Sequence, residues 1–186
     1  MKYLRSDILD AAVDVLDQEG LGVSTARLAA RVGVSNGTLF NYFPTRQDLI
    51  DALYLHLKRD LASAIGDTDG SASAKDRARE VWDRWVAWGC AAPARHRVVL
   101  LLKGGGAVGA VALAEAAELF AGVSNLLDSA AREGDLVDMP LPYLAAVIEA
   151  QVDLAVSNGL RGAARAVAFE MAWASIASPT LHTASA

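Results

Sequence analysis

The chain has only one cysteine, Cys90, among its 186 residues, so it cannot form an intramolecular disulfide. It also has no apolar run that reaches the roughly 18 to 20 residues a membrane span needs. Acidic residues interrupt the first twenty positions, which is unlike the continuous apolar core of a signal peptide. We therefore expect a soluble, cytoplasmic protein with no membrane partner.

Aromatic residues and positive charge are both in short supply. Aromatics make up 6% of the chain, and the formal net charge is -5 at pH 7. An acidic chain is not expected to bind polyanions in general, although a local basic patch can still act within it. Hydrophobic residues reach 53%, with alanine and leucine supplying much of that share. Because these two residues have the lowest cost in helices, the composition favours an all-α fold.

The chemistry of a catalytic or metal site is missing as well. His56, His96 and His182 share no metal-ligand spacing with the cysteine or with carboxylates, and no serine lies in a nucleophile-elbow pattern. We therefore expect no metal site, no cofactor and no enzymatic activity.

Helical periodicity and turn residues divide the chain into about nine helices. The segment GDTDGSASA, residues 66–74, is small, polar and glycine-containing, which is typical of a linker. It separates an N-terminal domain at 1–65 from a larger C-terminal domain at 75–186. Beyond the linker we expect one long helix from about Val111 to Arg132, whereas VVLLL at 98–102 fits a strand or a buried helix.

Residues 24–46 carry three arginines and no acid, in contrast to the rest of the chain. Ser24, Ser35 and Thr45 stand where helix N-caps are expected. Gly33 lies between two short helical patterns, where a tight turn needs a residue that tolerates positive φ. The stretch therefore predicts a compact helix-turn-helix at about 24–43, with positive charge suited to phosphate.

At these residues the chain resembles the TetR (tetracycline repressor) family of bacterial transcription regulators. The matching residues are Leu28-Ala29, Gly33-Val34-Ser35, Gly37-Thr38-Leu39-Phe40, Tyr42-Phe43, Arg46 and Asp48-Leu49. The resemblance implies an N-terminal DNA-binding domain followed by a helical effector-binding and dimerisation domain. It further implies a repressor that binds a near-palindromic, double-stranded operator as a homodimer and is released by a small apolar or amphipathic effector.

The resemblance also implies which residues touch DNA. Contacts to the DNA backbone would come from Ser24, Thr25 and Arg27, the base-facing turn from Asn36, Gly37 and Thr38, and a phosphate clamp from Asn41, Tyr42 and Arg46. Ser35 is expected to be a further DNA-binding residue. An Asn amide can pair with an adenine edge in the major groove. Ala26 cannot read a base by hydrogen bonding, so base readout is expected from Asn36, Gly37 and Thr38.

The same resemblance implies functions for two features of the C-terminal domain. The expected effector pocket includes Trp82, Trp85, Trp88, Phe120 and Tyr143, although aromatic residues at helical spacing also suit a core. The last two helices, about 141–156 and 162–177, are apolar on more than one face. Such helices favour burial against a partner subunit, here in a homodimer, and the alternative is an alanine-rich internal core.

A glycine pattern allows a different function. Gly104, Gly106 and Gly109 follow the strand-like VVLLL, and Asp128 comes roughly 20 residues later, as in a dinucleotide-binding fingerprint. The chain would then be a helical small-molecule or nucleotide-binding protein or an enzyme. Too little chain remains for a second βαβ unit, so we favour a flexible loop between helices.

Overall fold

A computed structural model of the chain describes residues 4–68, 70 and 72–178. The described residues form ten α-helices, and their one β feature is an isolated bridge between Leu136 and Ala177. The all-α prediction is confirmed. The helices are α1 (Arg5–Glu19), α2 (Thr25–Val32), α3 (Asn36–Tyr42), α4 (Arg46–Ile65), α5 (Ala74–Ala91), α6 (Pro93–Gly104), α7 (Ala110–Glu118), α8 (Ala121–Glu133), α9 (Leu141–Ser157) and α10 (Gly162–Ala174).

Local interactions at the expected positions begin and end the first helices. The hydroxyls of Ser24 and Ser35 accept hydrogen bonds from the amides three residues later, at 3.2 and 3.0 Å, which caps α2 and α3. Thr45 and Asp48 exchange hydrogen bonds at the start of α4 in a capping box. Gly33 has φ +88° and ends α2 in the left-handed conformation, as the sequence predicts.

The chain forms two compact units. The first comprises the residues up to Ser63 together with Ala91–Phe120, so α6 and α7 belong with α1–α4. Arg97 of α6 donates to both carboxylate oxygens of Asp17 in α1, at 2.7 and 2.6 Å. Arg95 bridges Asp10 of α1 and Asp60 of α4, at 2.9 and 2.7 Å. These ion pairs join α6 to the first helices, a grouping that crosses the linker expected at 66–74.

The second unit comprises Ala64–Cys90 together with the residues from Ala121 onward. One apolar cluster joins α5, α9 and α10 through Trp82, Val86, Val152 and Phe169, each 2% exposed or less. A second cluster holds Ala130, Leu136, Leu144 and Ile176. The backbone bond from the amide of Val137 to the carbonyl of Ile176, 2.9 Å, ties the segment after α8 to the segment after α10.

Two expectations about the middle of the chain are resolved by the structure. VVLLL lies inside helix α6, with Val98 and Leu102 fully buried. The prediction of a single helix from Val111 to Arg132 is wrong, because α7 ends at Glu118 and α8 begins at Ala121. At the break the amide of Phe120 bonds the carbonyl of Ala117, three residues back, and Lys58 lies 4.2 Å from the centre of the Phe120 ring. Through this cation–π contact the Phe120 ring faces α4, and neither glycine nor proline stands between Glu118 and Ala121.

Two positions of the expected linker, 69 and 71, lie outside the described residues, as do 1–3 and 179–186. Within the described part no single helix has both the length and the apolar composition of a membrane span, although the bent pair α7–α8 passes that test when taken together.

Candidate nucleic-acid interface

Helix α3 has two distinct faces. Leu39 and Phe43 are each 1% exposed and anchor the helix to its unit. Asn36, Gly37 and Asn41 are exposed on the other side. Two of the three residues expected to read bases, Asn36 and Gly37, therefore lie at the surface, in the first turn of the helix. A helix presented in this way can offer its first residues to base edges in a major groove.

The hydroxyls around α3 are partly engaged within the protein. The Ser35 and Thr38 hydroxyls lie 2.8 Å apart, so one donates to the other, and Thr38 is half-buried. Tyr42 is also half-buried, and its ring lies 6.3 Å from that of Phe43. These contacts fix the start and the end of α3. The DNA contacts expected of Ser35, Thr38 and Tyr42 remain predictions.

Two arginines of α2 are paired with the end of α1. Arg27 donates through Nε to Oε2 of Glu19, and the Nε of Arg31 lies 3.7 Å from Oε1 of the same carboxylate. Arg31 also donates to the side-chain oxygen of Gln18 at 2.8 Å. The hydrogen bond from Arg27 lowers the pKa of Glu19, and the same bond raises the pKa of Arg27. Both groups are therefore charged at neutral pH.

Arg46 is occupied in a different way. It begins α4, and its guanidinium donates to the carbonyl of Val23 at 2.7 Å and to the carbonyl of Leu21. Both carbonyls belong to the loop between α1 and α2. In this structure Arg46 holds that loop, and its expected phosphate contact remains a prediction.

Sequence reasoning missed three residues in and around the helix-turn-helix. Phe40 is 37% exposed beside Asn36 and Asn41, where an apolar side chain can contact a thymine methyl group. The exposure of Phe40 could have been predicted from the sequence, because Leu39 and Phe43 lie one turn apart on the buried face of α3 and Phe40 lies off that face. Arg5 lies over the ring of Phe43 at 4.9 Å, and Glu19 holds Arg27. No spacing in the sequence signals these last two contacts, because they join separate helices.

The residues expected to line an effector pocket do not form one group. Trp82 and Phe169 meet edge to face at 6.0 Å, with Trp85 packed against the same cluster. Trp88 is 8% exposed and Tyr143 is 56% exposed. Phe120 belongs to the first unit, beside Lys58. The indole Nε1 of Trp82 is buried without a hydrogen-bond partner among the described residues.

Comparison with known proteins agrees with this helical arrangement. The family model described as "Bacterial regulatory proteins, tetR family" matches residues 8–53, which run from α1 into α4 and include the whole helix-turn-helix. The match covers about a quarter of the chain, and that segment is similar to the tetR family.

Curated relatives match only part of the chain. The HTH-type transcriptional regulator BetI of Paraburkholderia phymatum is 36% identical over 76 residues, which are 40% of this chain and 39% of that relative. The chain thus matches less than half the length of this curated relative.

Two crystal structures resemble nearly the whole chain. A tetR family protein from Shewanella sp. PV-4 has a TM-score of 0.85 and 23% identity, and the match covers 95% of this chain and 100% of that one. LfrR from Mycobacterium smegmatis, in complex with proflavine, has a TM-score of 0.63 and 22% identity over 92% of this chain and 93% of its own. At these identities the likeness shows the fold.

Proposed function

We propose that the chain is a transcription regulator that binds double-stranded DNA through α2 and α3. The exposed row of Asn36, Gly37, Phe40 and Asn41 along α3 is the observation that carries this proposal. It combines an amide that can pair with adenine, a glycine that permits close approach and an apolar side chain suited to a thymine methyl group. Ser24, Thr25 and Arg27 at the start of α2 would bind the flanking phosphates, which fix register without reading sequence.

The regulator acts as a homodimer in this proposal. On α9, Tyr143, Ala146, Ala150 and Leu154 are all exposed and recur at helical spacing. A stripe on α10 has the same character, and it consists of Ala163, Ala166, Val167, Met171 and Ala174. Leu154, Val167 and Met171 are each about 60% exposed, at 59%, 60% and 64%. Two such stripes from each protomer can pack as a four-helix bundle, in which the alanines allow close approach.

A dimer places two copies of α3 at a fixed spacing. The operator should then be a near-palindrome whose half-sites lie about one helical turn apart, since protein symmetry is mirrored in the site. An operator is DNA inside the cell, so the proposal includes a cytoplasmic location.

A small effector would release the operator. A ligand shifts the population away from the DNA-bound state if it binds more tightly to dimers in which the spacing of the two α3 helices does not fit the half-sites. Because such coupling is reciprocal, the operator must also weaken binding of the effector. Two observations support an apolar or amphipathic ligand in the second unit: the aromatic cluster of Trp82, Trp85 and Phe169, and the unpartnered indole N–H of Trp82. An acceptor on a ligand would satisfy that N–H. LfrR, of similar fold, has proflavine bound.

We do not favour the alternative in which Gly104, Gly106 and Gly109 bind a nucleotide. The dinucleotide fingerprint needs a strand before its glycines, and here VVLLL is helical. The relatives that match this chain are named as transcription regulators, which supports a non-enzymatic role.

The proposal is tested by gel retardation with a duplex from upstream of the chain's own gene that contains a palindrome. We expect retardation at low salt, a steep decline in affinity with salt, and loss of the complex when one half-site is scrambled. Equal binding to the scrambled duplex would contradict the proposal.

A further inference from the structure

We propose that Glu19 is a positioning residue for DNA binding: its carboxylate holds the inner edge of the Arg27 guanidinium, so that the outer nitrogens of Arg27 face a DNA phosphate. The inference rests on the proposed function and extends it to a residue outside the helix-turn-helix. It concerns how the interface is built, since Glu19 itself would touch no DNA.

The geometry of the pair points to this role. Glu19 engages Arg27 through Nε alone, and the two Nη nitrogens of Arg27 have no partner among the described residues. The Arg27 side chain is 65% exposed, whereas that of Glu19 is 18% exposed. The carboxylate therefore lies behind the guanidinium and leaves its outer fork open. That fork can bind a phosphate through two nitrogens at once.

A second arginine keeps the carboxylate in place. Arg31 approaches Oε1 of Glu19 while Arg27 engages Oε2, and Gln18 holds the far end of Arg31. Arg27 and Arg31 lie one turn apart on α2, so their side chains share a face of the helix. Together these contacts restrict the rotamers of Arg27 before any DNA arrives. Ordering a long side chain in advance reduces the entropy lost on binding.

The location of Glu19 is otherwise unfavourable. It is the last residue of α1, where the helix dipole disfavours a negative charge, and the last turn of α1 has no basic residue. A negative charge near DNA also repels phosphate. The contact with Arg27 offsets both costs.

A matched pair of variants separates positioning from charge. Glu19→Gln and Glu19→Met both remove the negative charge and are similar in size, but only Gln keeps an oxygen that can accept from Nε of Arg27. The affinity for the upstream duplex is measured for both variants across a salt series, in the wild-type background and with Arg27→Ala. Thermal melts of each variant show that it is folded at the assay temperature.

We expect Glu19→Gln to bind about tenfold more tightly than Glu19→Met, the effect of one charge-assisted hydrogen bond. The logarithm of affinity should fall less steeply with the logarithm of salt concentration for Glu19→Met than for Glu19→Gln, by the slope of about one phosphate contact. With Arg27→Ala the two variants should bind equally. Equal affinity in the wild-type background, or a difference that persists without Arg27, would overturn the inference. A wild-type chain that retards no duplex would instead contradict the proposed function, and the inference would fall with it.

Discussion

Arg46 begins α4 and turns back onto the loop before α2. Its guanidinium donates to the carbonyls of Leu21 and Val23, and the side chain is half-buried. Because charged hydrogen bonds are stronger than neutral ones, this contact contributes to the stability of the first unit.

We therefore expect Arg46→Ala to lower the free energy of unfolding by about 2 kcal/mol. Urea denaturation followed by circular dichroism measures the loss. Arg161→Ala is the matched control, because its side chain is exposed and has no ion pair among the described residues, so the midpoint should stay near the wild-type value. If Arg46→Ala unfolds at the wild-type midpoint, the two carbonyl contacts do not stabilise the loop.

Asn36 should affect which DNA is bound, while Tyr42 should affect how tightly any DNA is bound. Asn36→Ala removes a side chain that can pair with adenine, so preference at one base pair of each half-site should weaken by about 1–3 kcal/mol. Tyr42→Ala should weaken binding to all sequences alike. Competition between duplexes that differ at single positions measures both effects. A uniform loss with Asn36→Ala would contradict its role in base reading.

At this scale the sequence predicts what is local and misses what is not. The N-caps Ser24, Ser35 and Thr45 and the turn at Gly33 could be predicted, since each depends on residues within four positions. The partners of Arg27 and Arg46 lie 8 to 25 positions away and depend on how the helices pack. The acid-free stretch therefore shows where positive charge is concentrated, but not that its arginines already have partners within the protein.

The loop between α6 and α7 shows what its glycines do at the scale of elements. The amide of Gly109 donates to Oδ1 of Asp51 in α4 at 2.7 Å, and Gln47 donates to the carbonyl of Ala107 at 2.9 Å. A Cβ at Gly109 would lie 2.8 Å from Oδ2 of Asp51. Gly109 is needed for this close approach, which joins the loop to the first half of α4.

Gly109→Ala should consequently lower the free energy of unfolding by about 1 kcal/mol, because the Asp51 carboxylate must move away from the new Cβ and weaken its hydrogen bond with the backbone amide. Gly104→Ala is the control, because a Cβ there meets nothing within 4 Å. In an Asp51→Ala background the cost of Gly109→Ala should largely disappear, since the clashing atoms are gone. Denaturation measures the free energy of unfolding of each variant. If the losses from Asp51→Ala and Gly109→Ala are additive in the double variant, Asp51 is not the group that clashes with the new Cβ.

The ion pair between α1 and α6 should make stability depend on pH. Hydrogen bonds from Arg97 hold the pKa of Asp17 below its ordinary value of 3.8. A group whose pKa is lowered by folding stabilises the fold above its ordinary pKa, and that contribution is lost as pH falls through the folded-state value. Asp17→Asn should therefore lose less stability than wild type between about pH 5 and pH 2.

Denaturation midpoints across this pH range test the effect. Asp14→Asn is a control on the same helix, because Asp14 is exposed and has no ion pair among the described residues. A wild-type acid dependence that Asp17→Asn leaves unchanged would exclude the pair as its source.

Helix boundaries were predictable where caps and breakers mark them. The sequence gives the start of α4 at Arg46 and of α9 near Pro140, and both are confirmed. The break between α7 and α8 was missed, because Leu119 and Phe120 are ordinary helix residues. The break coincides with a contact between Phe120 and Lys58, two residues that are far apart in the sequence.

At the scale of the whole molecule the proposed dimer depends on α9 and α10. Leu154→Asp places a charge in the exposed stripe of α9. The control is Val111→Asp, which places the same charge on α7 at a position that is 83% exposed. We expect Leu154→Asp to produce monomers with at least a tenfold weaker affinity for the operator, since paired half-sites require two copies of α3. Val111→Asp should remain a dimer. Sedimentation velocity and gel retardation measure the two properties, and a dimeric Leu154→Asp variant would place the interface elsewhere.

The most direct test of the central claim is selection of bound duplexes from a random-sequence pool at physiological salt, followed by sequencing. The proposed function predicts enrichment of a near-palindrome whose half-sites are centred about one helical turn apart, and loss of one base preference per half-site with Asn36→Ala. A pool with no enriched sequence, or an enriched site that Asn36→Ala leaves unchanged, would contradict the account of α3 as the element that reads DNA.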